Sequence, residues 1–288
     1  MAARFELRCR EAVLAVELKG NRTEGGVDVE AIRRVQLQTF ALVRQPISQA
    51  QWRELAENVS SINNELDAKP GRGKPGSLWE QYGQPGDLAV DSLSWNDCKE
   101  WLQRLNYWLS EHWVNVLGRD NAPKLGFPSE SQWESACRSG TETPFHFGDT
   151  LDPTWAQYNS SSIFGLGRKR NRVNQPWLNG SSGLVNRWGL SEMHGQLNEW
   201  CEDSWHPNPI ADGWPADGQA WREDDADLLL RESGHRKYKL VRGGSWVNDP
   251  QDARSAFRYS GGTGSGVTNA LNGLRPCCPL PPGSLLGA

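Results

Sequence analysis

No stretch of the 288 residues is both apolar and long enough to span a bilayer. The first ten, Met1-Ala-Ala-Arg-Phe-Glu-Leu-Arg-Cys-Arg10, carry scattered charges and no apolar core of a secretory signal, so a cytoplasmic protein with no membrane insertion is the expectation. Cysteine is sparse: six residues, at 9, 98, 137, 201, 277 and 278, are too few and too dispersed for a disulfide framework at this size, which suits a reducing compartment. An excess of positive charge is also missing. With 31 Lys and Arg against 35 Asp and Glu, the net charge of -4 gives no footprint for nucleic acid. The one basic run, Arg168-Lys-Arg-Asn-Arg172, follows Gly165 and Gly167 and reads as a solvated loop tip.

Common catalytic templates are absent as well. None of the five His stands at the short spacing of a metal-binding helix; the pair nearest in sequence, His194 and His206, straddles a turn, and His194 reads as a buried structural histidine. There is no Gly-x-Ser-x-Gly elbow, no Cys-x-x-Cys and no phosphate-cradling loop with Lys. Gly243-Gly-Ser245 lies between a strand candidate and Trp246 with no helix after it, so it reads as a tight turn or a close backbone approach. No metal and no cofactor are implied.

What is abundant is tryptophan, 15 residues in a chain of low mean hydropathy, -0.67. The alternation Val35-Gln-Leu-Gln-Thr39, running into Phe40-Ala-Leu-Val43, predicts a half-buried strand. Ser48-Gln-Ala-Gln51 has capping-box spacing and predicts a helix over 49–58 with Trp52 and Leu55 inward. A second helix should open at Ser94, with Asp97 in its first turn and Trp95, Cys98, Leu102, Leu105 and Leu109 along one face. A third should open at the box Ser129-Glu-Ser-Gln132, carry Trp133 and Ala136 inward and stop before Gly140. Beyond Gly140 helical period disappears, and strands are expected only at Tyr238 to Arg242 and Ser255 to Arg258. Lys69 to Asp87, rich in Gly and Pro, reads as a long connection, and Asp203 to Gly234, with its acidic Glu223 to Asp227, as a solvated insertion.

Four motifs occur in order: Pro46-Ile-Ser-Gln-Ala-Gln-Trp52, Gly126-Phe-Pro-Ser-Glu-Ser-Gln-Trp133, Gly189-Leu-Ser-Glu-Met-His-Gly195 through Glu199-Trp-Cys201, and Arg242-Gly-Gly-Ser-Trp246. Together they resemble the formylglycine-generating enzyme superfamily over about residues 30 to 276. The resemblance implies an α+β protein, a C-type lectin fold of the formylglycine-generating subtype, loop-rich, with short antiparallel sheets and a few short helices, as a single domain over 1–288. Gln196 and Asn198 depart from the family's usual Asn and Trp. The oxidising members place two active-site thiols shortly after the last motif, where this chain has Asn248 and Ala253. Without sulfur the thiolate and copper chemistry is lost, so the chain is expected not to be an enzyme. The sulfoxide-forming relatives need an added helical domain with iron-binding His, for which no spacing exists here.

After Gln251 the chain has no Lys, Glu, Gln, Met or Trp, and Phe257 to Asn272 uses only amino acids encoded by codons ending in C. An Asn codon randomised at its two adenines yields that set. The pattern resembles the variable proteins of diversity-generating retroelements, with Asn248, Asn269 and Asn272 as unmutated template positions and a variable region over about 247–272. A Gly/Ser-rich linker would look similar in composition alone. Arg254, Ser255, Ala256 and Arg258, interleaved through it, argue for pairing with the scaffold and leave Phe257 and Tyr259 to face a ligand. The expected contact residues are Val247, Asn248, Asp249, Asp252, Phe257, Tyr259, Ser260, Gly261, Gly262, Thr263, Gly264, Ser265, Gly266 and Val267, and the partner is a protein or other macromolecule. The alternatives are an oxidase or sulfoxide synthase-like enzyme and an interaction module with one fixed partner.

Overall fold

The computed structural model describes residues 7–10, 14–18, 23–24, 27–28, 30–71, 87–117, 122–170, 177–222, 238–260, 266 and 268–280. Most of the 69–87 connection, the acidic 223–227 cluster, and Gly261 to Ser265 with Val267 therefore lie outside the described residues.

Three helices form where capping chemistry starts them. In α1, Gln49–Asn58, the Ser48 hydroxyl accepts from the Gln51 N–H (3.3 Å) and the Gln51 side chain accepts from the Ser48 N–H (2.9 Å). The same reciprocal pair, Ser129 with Gln132, opens α3, Glu130–Arg138. Helix α2, Trp95–Leu117, opens with Asp97 accepting from the Ser94 N–H (3.0 Å) while its own N–H donates to the Ser94 hydroxyl (3.0 Å). Ser139, in left-handed backbone at φ 46°, ends α3 one residue ahead of Gly140.

The strands are short. Strand β1 (Leu7–Arg10), β2 (Leu14–Leu18), β3 (Thr23–Glu24) and β4 (Val27–Asp28) precede β5 (Arg33–Leu37) and β6 (Phe40–Val43). Strand β5 alternates buried and exposed, pairing with β2, whereas β6 is buried throughout because β1 and β10 (Cys277–Pro279) flank it on both edges. The run read as one strand from Val35 to Val43 is thus two, broken at Gln38–Thr39, and the halves join different sheets. A further sheet has the order β8 (Lys239–Arg242), β7 (Asn198–Ser204), β9 (Asn272–Gly273). Its β7–β9 pairing is parallel, an exception to the expected antiparallel sheets.

Tryptophan fills the core. Trp52 stacks on Trp101 (5.9 Å between centroids), and the indole N–H groups donate to irregular backbone: Trp95 to the Cys201 carbonyl (3.0 Å), Trp101 to Trp52 (3.2 Å), Trp200 to Leu93 (3.1 Å). A polypeptide with this little ladder hydrogen bonding needs such donors to satisfy its buried carbonyls. A buried ionic cluster lies beside this core: Arg33, Arg242 and Arg258 converge on Glu130 and Glu134 of α3. No described helix is long and apolar enough to cross a membrane.

Candidate functional site

Strand β8 ends at Arg242, and the chain leaves it through Gly243 and Gly244, both at positive φ (96° and 69°). A Cβ on Gly244 would stand 2.7 Å from the Asp252 carbonyl oxygen, so only glycine lets the following turn fold back this closely. That turn, residues 245–253, ends in the short 3-10 helix Pro250–Ala253.

Its polar side chains hold the turn itself. Asn248 Oδ1 accepts from the Ser245 N–H (3.0 Å) and from the Ser245 hydroxyl, and Asn248 Nδ2 lies 3.4 Å from Asp252. Asp249 Oδ1 accepts from Asn159 Nδ2 (2.9 Å) and the Ser162 hydroxyl (2.7 Å), while the Asn159 N–H donates to the Asn248 carbonyl (2.8 Å). Val247 is half-buried against Trp246, Ala89 and Leu197. Asn248, Asp249 and Asp252, expected to be ligand contacts, are thus braces of the turn, each still half-exposed. Nothing in the sequence marks Asn159 and Ser162 as their partners, about ninety residues away.

From Ser255 to Arg258 the chain makes no strand. The Phe257 N–H bonds locally to the Arg254 carbonyl (3.0 Å), so this donor is not available for a ladder, and the Phe257 carbonyl points to the Arg242 guanidinium. Two arginines pin this irregular path: Arg254 grips Glu30 with both terminal nitrogens (2.7 and 2.8 Å), and Arg258 grips Glu130. Without strand alternation Phe257 and Tyr259 part company. Phe257 is buried, 7% exposed, and Tyr259 is 42% exposed, its backbone bridged to Val241 and its ring stacked on Phe257 (6.5 Å). The expectation that both rings face outward is corrected at Phe257. Ser260 is half-buried. Gly266 is exposed, and a Cβ there would meet nothing nearer than Asn96 Nδ2 at 3.5 Å, ordinary contact distance.

The far side of the stretch is anchored by asparagines. Asn269 Oδ1 accepts from the Leu271 N–H (2.9 Å), and fully buried Asn272 accepts from Asn198 Nδ2 (3.1 Å), while its carbonyl accepts from the Leu93 N–H (3.4 Å). Asn198, the departure from the motif, is thus the partner of the last residue in the stretch. The other departure, Gln196, sits at φ 66° and donates to Asn179 Oδ1 (2.9 Å).

None of the five cysteines whose side chains are described offers an exposed thiol to this surface. Cys98, Cys137, Cys201, Cys277 and Cys278 are all buried and free. Burial holds the thiol of Cys137 up at about 12 although His194 stands 3.7 Å away. That imidazole is itself pushed well below its ordinary value, by burial first and by neighbouring His146 second. His194 Nδ1 donates to the Ala253 carbonyl (2.7 Å) and Nε2 accepts from the His146 N–H (3.1 Å), so the ring is a neutral crosslink holding the end of the turn. The described residues contain no cluster of three or more metal-ligating side chains. An open cleft of about 350 Å³ is lined by Arg44, Gln45, Ser48, Gln51, Asp87 and Asn179, outside the 247–267 stretch. The candidate site is a turn braced by its own side chains and by residues 159 and 162.

The sulfatase-modifying factor enzyme 1-like domain matches residues 5–275. The chain belongs to that family. In backbone it is similar to PvdO from Pseudomonas aeruginosa (TM-score 0.63, 19% identity, 92% of this chain and 91% of that one). It is equally similar to Treponema denticola variable protein 1 (TM-score 0.62, 17% identity, 96% and 95%). In sequence it is 26% identical over 166 residues to serine/threonine-protein kinase pkn1 of Chlamydia caviae, which takes in 57% of this chain and 22% of the kinase. The fold is therefore the α+β C-type lectin fold of the formylglycine-generating subtype, with the loop-rich second half that the sequence implies.

Proposed function

We propose that this protein is a diversified ligand-binding protein, a single cytoplasmic domain that displays a hypervariable surface over about 247–272 to a protein or other macromolecular ligand. The observation that carries the reading is the composition of Phe257 to Asn272, confined to residue types that a codon ending in C can encode. Support comes from where that composition falls: exposed positions at Tyr259, Gly266 and Thr268, ahead of the buried anchor Asn272. The contact set we assign is Val247, Tyr259, Ser260, the 261–265 run, Gly266 and Val267, with Asn248, Asp249 and Asp252 holding the turn and Phe257 backing Tyr259.

Several arrangements weigh against oxidase chemistry. By the resemblance Asn248 and Ala253 stand where the family has its thiol pair, Asn248 is committed to Ser245, and Cys98, Cys137, Cys201, Cys277 and Cys278 are buried with raised thiols. A copper titration should find no tight site; a stoichiometric one would reinstate the enzyme reading. Sequencing the gene from several isolates tests the main proposal: copies should differ across 247–272 and agree elsewhere. One constant sequence there would favour a module with a fixed partner.

A further inference from the structure

Beside the 245–253 turn stands a second loop, residues 159–170. Its backbone is closed by the Ser162 N–H on the Asn159 carbonyl (3.0 Å), the Gly167 N–H on Phe164 (3.1 Å) and the Arg170 N–H on Ser160 (2.9 Å). Space dictates its glycines. A Cβ on Gly167 would sit 2.2 Å from the Leu151 carbonyl oxygen, and one on Gly165, at φ 61°, would sit 2.9 Å from that of Asp149. Phe164 plugs the base of the loop, edge-on to buried Phe145 (5.1 Å between centroids).

This much constraint normally accompanies burial of the residues constrained, yet here it holds apolar side chains in water. Leu166 is 94% exposed and Ile163 54% exposed, and Arg168, Lys169 and Arg170 beside them are exposed too. Arg168 lies 3.3 Å from Asp152 but keeps most of its side chain in solvent. One exposed leucine is ordinary on a soluble protein. Two aliphatic side chains on a braced loop, next to three cations in a chain of net charge -4, form a patch with its own chemistry. Asp249 ties this loop to the turn, through Asn159 and Ser162.

We propose that the 159–170 loop is a constant second half of the binding surface and that it receives an acidic protein segment bearing aliphatic side chains. The inference rests on the reading of 247–267 as the ligand surface and adds the class of ligand. Ile163 and Leu166 supply apolar anchors, and a preorganised loop gives up little conformational entropy when a partner closes over them. Arg168, Lys169 and Arg170 form the charged rim, which selects carboxylates and speeds encounter. Diversification of the neighbouring stretch would then tune which acidic partner is held, against a fixed background of charge and apolar contact.

Fluorescence anisotropy on the full chain, with fluorescein-labelled short peptides composed of Glu and Leu, Glu and Ser, or Lys and Leu, tests this. The Glu/Leu peptide should bind about tenfold more tightly than either of the others, a difference of about 1.4 kcal/mol. Leu166→Ser, and separately the triple exchange Arg168→Glu, Lys169→Glu, Arg170→Glu, should each weaken it about tenfold, and added salt should weaken it further. Both variants change exposed side chains only, and unchanged thermal midpoints would show them folded. Equal binding of the Glu/Ser peptide, binding indifferent to the triple exchange, or no peptide binding at all would overturn the proposal. So would loop-dependent binding to phosphatidylserine vesicles in place of peptide. Diversification is read from gene copies and not from binding, so failure of that reading and failure of this one are separately visible.

Discussion

Arg275 holds Glu199 along one edge of its guanidinium, with Nε at 2.8 Å and Nη2 at 2.8 Å from the two carboxylate oxygens, and the same carboxylate accepts the Trp133 indole N–H at 2.6 Å. Both charges are buried, and Arg275 also donates to the carbonyls of Val43, Arg44 and Ser191. Three sequence blocks far apart in the chain are thereby locked to one ion pair. Glu199→Ala should cost about 3–5 kcal/mol in urea unfolding, because it strands a buried guanidinium. Adding Arg275→Met to that variant should recover part of the loss; a fully additive double variant would show that the pair is not coupled.

Asp203 and Glu130 titrate in opposite directions. Burial, and then the charge of Glu130, push the Asp203 carboxyl up to about 7, although it accepts from the Glu130 and Trp221 N–H groups. Burial also raises Glu130, but Arg258, Arg33 and Arg242 outweigh it and hold that carboxyl below the usual range. An acid whose folded pKa exceeds its unfolded one contributes most below the unfolded value, about 4, and loses that contribution as pH rises toward the folded value. Asp203→Asn cannot ionise. The urea midpoint of the natural chain should therefore fall relative to this variant between pH 4 and pH 7 and run parallel above; a constant difference across that window would contradict the assignment.

Gly195 and Gly266 should respond oppositely to a side chain. Gly195 lies at φ 87°, and a Cβ would fall 1.9 Å from the Gln157 carbonyl oxygen, so Gly195→Ala should cost at least about 2 kcal/mol. Gly266→Asn or Gly266→Tyr brings a Cβ only to ordinary contact distance of Asn96 (3.5 Å) at an exposed position and should change stability by less than about 0.5 kcal/mol. Thermal midpoints of purified variants decide both.

The three asparagines expected to be unmutated template positions each hold structure. Asn248 serves Ser245, Asn269 serves the Leu271 N–H, and buried Asn272 serves Asn198. Asn272→Ala should cost about 1–3 kcal/mol, since it leaves the Asn198 amide without that acceptor in the interior. Val247→Ser and Tyr259→Ser should be far milder. Natural copies are expected to keep Asn at 248, 269 and 272 while changing at 247 and 259.

The helices were legible because their signals are local. Ser48 with Gln51 and Ser129 with Gln132 are three residues apart, and the apolar spacing that follows each fixes which face turns inward. The path of residues 254–259 was not, because it is set by Glu30, Glu130 and the Arg242 guanidinium, none of which any short window contains. Strand alternation would put Phe257 and Tyr259 on one face; the Arg254 and Arg258 ion pairs and the local Phe257 N–H bond leave no strand there. Likewise the role of Asp249 depends on Asn159 and Ser162, and the His194 crosslink on His146, contacts that only the folded chain brings together. The restricted set of residue types in 257–272 is legible without the fold, because it is a matter of composition and not of contacts.

The most direct measurement of the central claim is the DNA around this gene. A near-repeat of the 247–272 coding segment should lie nearby, and every difference between the two should fall at an adenine of that repeat, sparing the codons of Asn248, Asn269 and Asn272. Differences scattered over all four bases, or no near-repeat in the complete genome, would contradict the account.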